Sequence, residues 1–211
     1  EDASGTAVEN GAVVSGSVSA TDVDSAPIAY AVVGTAPAGL TFNPDGSYSF
    51  DPGNAAYDGL AQGATTVVTV TFSATADGQS DTGTLSLTVT GTNDGPVASG
   101  VTASGPEDGG AILVTPVSTD ADAGDTAAYA IAGESGPVNG SVVVNGNGTF
   151  NYTPDPDFAG TDSFEYVVTD GEGATSTATA TITVAGTDDA PVAEDASGTA
   201  VENGAVVSGS V

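Results

Sequence analysis

Gly91-Thr-Asn-Asp-Gly-Pro-Val-Ala98 and Gly186-Thr-Asp-Asp-Ala-Pro-Val-Ala193 are one stretch written twice, each at the end of an alternating Thr/Val run. Upstream of the first, Leu85, Leu87 and Val89 recur at every second position, and upstream of the second Ala180, Ile182 and Val184 do the same. A period of two is that of a strand with one buried face. The proline that follows has no amide hydrogen to donate and drives Gly95 or Ala190 towards an extended conformation, so the strand has to stop there. Each stretch therefore predicts a seam between domains. Just before its proline each seam carries two oxygen-bearing side chains, Asn93 and Asp94 in one copy and Asp188 and Asp189 in the other. A seam so furnished can hold a cation.

Beyond the second seam, Glu194 to Val211 is identical to Glu1 to Val18, which sets a period of 193 residues. The repetition predicts a window on a longer array. The expected division is a domain over 1–95, a second over 96–190, and the start of the next repeat over 191–211. About 95 residues suits a β-sandwich. Six aromatics precede the first seam and six lie between the seams, so each half is expected to have its own core. Strand-like alternation recurs throughout, with turn signals at Glu9-Asn10-Gly11, Asn43-Pro-Asp-Gly46, Asp77-Gly78, Asn145-Gly-Asn-Gly148 and Asp170-Gly171. The first of these is read as a reversal between two strands that pair with each other. Phe72 stands five residues before Asp77 whereas Tyr166 stands four before Asp170, which is read as a bulge. The fold class expected is all-β, tandem Greek-key sandwiches in a linear array.

The chain holds 28 Asp and Glu but no Lys, Arg or His. With no cation to meet a phosphate, nucleic acid and anionic membrane are poor partners. No apolar run approaches the roughly 20 residues that would cross a bilayer. Catalysis has little to work with, since the usual bases near neutral pH and the thiolate nucleophile are missing. Cysteine is absent too, so no disulfide braces the domains, and metal ions are the other common brace of exported proteins.

Calcium takes six to eight oxygen ligands, more than any single stretch here provides. In a sandwich the loops gather at the two ends, so ligands from one domain can meet those of the next. Asp22 and Asp24, and Asp120 and Asp122, are carboxylates at i and i+2 that face one side of an extended segment. The first seam is expected to gather Glu9, Asn93 and Asp94 with Asp120, Asp122 and Asp170. Asp45, Asp51, Asp58, Asp77, Asp81, Asp155 and Asp157 are read singly as turn or surface residues. Asp162 is left open between the two readings.

Ala7-Val-Glu-Asn10, Ser19-Ala-Thr-Asp-Val-Asp24, Thr75-Ala-Asp-Gly78 and Thr92-Asn-Asp-Gly-Pro96 resemble the successive calcium motifs of cadherin repeats. They are also similar to the VCBS and cadherin-like repeats of giant type I-secreted, RTX-type bacterial adhesins. The second half resembles the same class through Pro106-Glu-Asp108, Thr119-Asp-Ala-Asp122, Thr169-Asp-Gly171 and Thr187-Asp-Asp-Ala-Pro191. The resemblance implies Ig-like or cadherin-like sandwiches. It implies calcium on Glu9, Asn93, Asp94, Asp120, Asp122 and Asp170 at the first seam, and on Glu107, Asp188 and Asp189 at the second. It also implies an extracellular, surface-attached stalk whose partners are calcium ions and neighbouring repeats, or head-to-tail copies in a filament. The cadherin Asp-Arg-Glu motif is missing and Thr92 and Thr187 replace frequent ligands, so fewer ions per seam are expected. The alternative function is an adhesion module that binds carbohydrate or its own kind.

Overall fold

In the computed structural model, which describes residues 2–24, 27–133 and 135–193 together with Asp195, Ser197, Glu202 and Val206, the alternating runs become strands of two sandwiches. The copy of the opening segment expected over 194–211 lies almost wholly outside the described residues.

The first sandwich is built from β1 (Ala3–Val8), β2 (Val14–Ser17), β3 (Ala29–Val32), β4 (Leu40–Phe42), β5 (Ser47–Phe50), β6 (Thr65–Ala76) and β7 (Gln79–Thr90). One sheet has the order β1-β7-β6-β3 and the facing sheet β2-β5-β4. Phe50, Phe72, Leu85, Leu87 and Val89 are sealed between them, with Tyr30 and Phe42 packed at the margin. Asn43-Pro-Asp-Gly46 turns as the sequence predicts: Phe42 pairs with Tyr48 across it, and Gly46 takes a positive φ. The second sandwich has β8 (Val97–Ser99), β9 (Val101–Pro106), a 3-10 turn at Glu107–Gly109, β10 (Ile112–Val114), β11 (Val117–Thr119), β12 (Ala128–Ile131), β13 (Gly140–Val144), β14 (Phe150–Pro154), β15 (Gly160–Thr169) and β16 (Thr175–Ala185). Its sheets run β12-β15-β16-β9 and β10-β14-β13, with β8 and β11 forming a short ribbon. Phe150, Tyr152, Phe164, Tyr166 and Ile182 fill its core.

Two expectations are corrected. β1 and β2 do not pair with each other. β1 lies parallel to β7, from Ala3 beside Leu85 to Val8 beside Thr90, while β2 pairs with β5 in the opposite sheet. The Glu9 turn is therefore a crossing between sheets. Nor is there a bulge: β6 and β7 pair without interruption from Thr65–Thr90 to Ala76–Gln79, and β15 and β16 from Gly160–Val184 to Thr169–Thr175. What differs is the turn. Asp77 and Gly78, both at positive φ, close the first hairpin tightly, whereas five residues, 170–174, close the second.

Candidate metal centre at the first seam

Glu9 is placed by the crossing from β1 to β2. Its N–H donates to the Thr90 carbonyl at 2.9 Å, continuing the parallel ladder by one residue, and Asn10 then turns the chain at a φ of 56°. The side chain is 1 % exposed. Its Oε2 accepts the N–H of Thr92 at 2.9 Å, which fastens the linker to the end of the first sandwich.

Beyond Thr92 the linker is tied to the second sandwich. The Asp94 N–H donates to Asp122 Oδ2 at 2.9 Å, and Asn93 Nδ2 donates to Asp170 Oδ2 at 2.9 Å. Asn10 Nδ2 reaches Asp94 Oδ1 at 3.3 Å, and the Ala123 N–H reaches the Gly59 carbonyl at 3.3 Å. The acidic loops are held by their own backbones. Asp120 Oδ1 accepts the Asp122 N–H, and Asp170 Oδ1 accepts the N–H groups of Glu172, Gly173 and Ala174. Such Asx-type turns fix where a carboxylate points before any ligand arrives.

The result is two groups of acids. Carboxylate oxygens of Glu9, Asp94 and Asp122 lie within 4.8 Å of one another, as do those of Asp120, Asp125 and Asp170. Ligands on opposite sides of one calcium ion, each about 2.4 Å away, are about 4.8 Å apart. Beside these groups five buried side-chain oxygens have no hydrogen-bond partner: Glu9 Oε1, Asn93 Oδ1, Asp94 Oδ2, Asp122 Oδ1 and Asp125 Oδ2. A buried acceptor left unpaired costs about 1–3 kcal/mol, and more when charged. With no basic residue in the chain, no side-chain cation can supply the missing partner. Burial pushes Glu9 above the usual carboxylate range against the pull of the Thr92 N–H, and Asp94, Asp122 and Asp58 push it further. Burial and the neighbouring Asp122, Asp58 and Asp120 do the same to Asp94. Asp170 moves the other way, below its ordinary value, chiefly through the Asn93 amide. Orphaned oxygens of carboxylate and amide type fit a hard divalent cation such as calcium.

All six residues predicted for this seam are thus brought together. Sequence reasoning missed Asp125 and Asp58. Asp125 stands three residues after Asp122 in a loop without a base, which is a signal, but its second tie, Oδ1 to the Gly171 N–H at 3.2 Å, comes from a distant turn. Asp58 lies in a turn, as its sequence predicts, and is half buried there beside Glu9 and Asp94.

Glu107 repeats the Glu9 arrangement at the far end of the second sandwich. Its Oε1 accepts the Thr187 N–H at 2.6 Å, and Asp108 accepts the Thr187 hydroxyl. Asp188 and Asp189 are exposed there, and Asp108 above all, then burial, Asp157 and Glu107, raises the Asp189 carboxyl. Among the described residues no three carboxylates converge at that end as they do at the first seam. Asp22 and Asp24 stand apart from both groups. They are exposed at the opposite end of the first sandwich from Glu9, with the Asp24 N–H on Asp22 Oδ1 at 2.8 Å. Asp162 joins no cluster; it is buried under Tyr152 and fully hydrogen-bonded.

Residues 93–183 match the family described as Bacterial Ig domain. No curated protein sequence matches the chain. Among solved structures it is similar to human protocadherin-24 EC1-2, at 17 % identity and a TM-score of 0.56 over 89 % of this chain and 95 % of that one. Drosophila N-cadherin EC1-4 matches at 14 % identity and a TM-score of 0.52 over 87 % of this chain and 48 % of that one. Mouse cadherin-23 EC22-24 matches at 17 % identity and a TM-score of 0.51 over 89 % of this chain and 63 % of that one. At such identities the likeness is one of fold: Ig-like and cadherin-like sandwiches.

Proposed function

We propose that the chain is a calcium-rigidified stalk unit of a long, secreted bacterial surface adhesin or extracellular filament of the VCBS and cadherin-like kind, serving cell adhesion or a biofilm matrix. In this reading domains 1–95 and 96–190 are consecutive spacers, and residues 191–211 begin the next. The observation that carries it is the set of five unpartnered buried oxygens at the first seam in a chain without a base. Glu9, Asp94 and Asp122 would hold one calcium ion; Asp120, Asp125 and Asp170, with the Asn93 carbonyl oxygen, would hold another. Bound calcium supplies the positive charge that these oxygens lack. Glu107, Asp188 and Asp189 would serve the seam that follows, and Asp22 and Asp24 the seam with a preceding repeat.

The chain's own residues do the rest. Glu9 anchors the linker through Thr92, Asn93 and Asp94 tie it to the second sandwich, and each sandwich keeps a core of its own. Ion removal should therefore loosen the orientation of the sandwiches before it unfolds either. Affinities of about 10⁻⁴–10⁻³ M, the range of extracellular modules, would leave the sites empty at cytosolic calcium levels and fill them outside the cell. Small-angle scattering with and without chelator tests the reading: the maximum dimension and its spread should change on chelation. Asp94→Asn with Asp122→Asn, which removes the ligands of one of the two ions, should weaken that response. A profile indifferent to calcium would count against the proposal.

A further inference from the structure

We propose that the joints of the array are unlike: the joint from the first sandwich to the second has two ion positions, and the joint from the second to the next first-type sandwich has lost one of them. This rests on the calcium reading above, and on the identity of residues 194–211 with 1–18, by which a first-type sandwich follows the second.

The difference lies in the acids that each sandwich presents to the one before it. Strand register makes the comparison residue by residue. Tyr30 pairs with Ala74 where Tyr129 pairs with Val168, so two residues further on Ala76 occupies the place of Asp170. In the first sandwich the hairpin runs on through the pair Ala76–Gln79 and closes over Asp77 and Gly78, which puts Asp77 in the turn itself. In the second the chain leaves the ladder at Asp170 and folds back so that three N–H groups fix its carboxylate. Asp125 has no counterpart either, because no acid occurs between Asp24 and Asp45. Where the second sandwich gathers Asp120, Asp125 and Asp170, the first has a hollow of about 320 Å³ lined by Asp22, Ile28, Ala74, Ala76 and Asp81. Asp81 turns its Oδ1 to the Thr82 N–H at 2.8 Å.

The other ion position keeps its counterparts. Glu107 grips Thr187 as Glu9 grips Thr92, Asp189 stands at the place of Asp94, and Asp24 has the same tie to Asp22 that Asp122 has to Asp120. The linker has changed in keeping with the loss. Asn93 donates its side-chain amide to Asp170, whereas the Asp188 side chain has no N–H to give and the Ala76 side chain no oxygen to receive one. Asp108, where the first seam has Asn10, adds charge beside Glu107 and Asp189, around the position that remains.

The test uses the chain carried on through one further first sandwich, residues 1–193 followed by a copy of 1–95, so that it contains one joint of each kind. Bound calcium is counted by equilibrium dialysis with ⁴⁵Ca at saturation, before and after substitution. Glu9→Gln, Asp122→Asn, Asp125→Asn and Asp170→Asn together should lower the count by two, and Asp125→Asn with Asp170→Asn alone by one. Glu107→Gln with Asp189→Asn should lower it by one. A loss of two from that last pair, or of none while the first set costs two, overturns the proposal. If no set lowers the count, the calcium reading itself fails.

Discussion

Asp162 and Asp122 are 6 % and 5 % exposed in a chain that has no base, yet the two carboxylates are held in opposite ways. Asp162 is saturated by neutral donors: Oδ1 takes the N–H groups of Val138 and Ser163, and Oδ2 takes the Asn139 N–H and the Tyr152 hydroxyl. Asp122 spends Oδ2 on the Asp94 N–H, leaves Oδ1 with nothing, and faces Glu9 and Asp94 across less than 4.8 Å. One isolated carboxylate can be buried on neutral donors alone, because four hydrogen bonds replace its water. Several carboxylates converging on one point cannot, since each added charge raises the cost of the others. The first arrangement pins a loop, and the second asks for a cation.

The largest effect that would break this contrast is expected from Asp162→Ala. It takes the acceptor from the N–H groups of Val138, Asn139 and Ser163, while the Tyr152 hydroxyl keeps the Asn139 carbonyl, a loss of about 3 kcal/mol. Scanning calorimetry should show the second sandwich melting well below its normal temperature with the first unchanged. A variant that melts like the parent would mean that water enters under Tyr152.

Next in size is calcium itself. With dissociation constants of about 10⁻⁴–10⁻³ M, 10 mM calcium should stabilise each joint ion's sandwiches by about 1.4–2.7 kcal/mol. Glu9→Gln with Asp122→Asn should remove most of that gain, whereas Asp162→Ala should leave its size intact. If the calcium-dependent shift disappears in Asp162→Ala instead, the roles assigned to the two carboxylates are reversed.

Tyr57→Phe sharpens the comparison from the other sandwich. There the carbonyl of Ala38 is held by the Tyr57 hydroxyl at 2.8 Å, and in the second sandwich the carbonyl of Asn139 is held by Tyr152. The first sandwich has no acid beneath its tyrosine, so only one neutral hydrogen bond is at stake, about 1 kcal/mol by urea denaturation. Tyr152→Phe, which also deprives Asp162 of a donor, should cost more.

The smallest effect is on acidification. Burial alone would raise Asp162, but the N–H groups of Asn139, Ser163 and Val138 and the Tyr152 hydroxyl outweigh it and hold the carboxyl below its ordinary value. A depressed carboxyl contributes stability that is present above its unfolded value, about 3.9, and lost as pH falls through the folded one. Calcium-free melting of the second sandwich should therefore decline below about pH 4 in the parent chain, and less steeply in Asp162→Asn. Equal slopes would place the acid sensitivity elsewhere.

Much of the fold was legible because its signals are local. The turns at Asn43–Gly46 and Asn145–Gly148 and the strand at Thr65–Ala76 each depend on neighbours in sequence, whereas β7 and β16 stop at Thr90 and Ala185, six residues before the prolines expected to end them. What escaped depends on partners far away. The alternation of Ala3–Val8 is the same whether the strand pairs with β2 or lies parallel to β7, about 80 residues on, so the crossing of sheets could not be read from it. The seam acids were found through their repeated place beside the prolines. Asp58 and Asp162 were not resolved, because one is made a seam residue by Glu9 and Asp94, and the other a core residue by Tyr152.

The parallel pairing that escaped sequence reasoning also decides how such a unit bears tension. The first sandwich is entered through β1 and left through β7, and in the second β9, which follows the short β8, lies beside the last strand β16; each pair runs side by side over six residue pairs, Ala3–Leu85 to Val8–Thr90 and Val101–Ala180 to Pro106–Ala185. A pull on the two ends drags the paired strands past each other along their own length. All the hydrogen bonds of the ladder are then strained together in shear, where a hairpin pulled from its open end would lose them one at a time. Resistance to a pull is a matter of unfolding rate rather than equilibrium stability. A small sandwich entered and left in this way can withstand force out of proportion to its core.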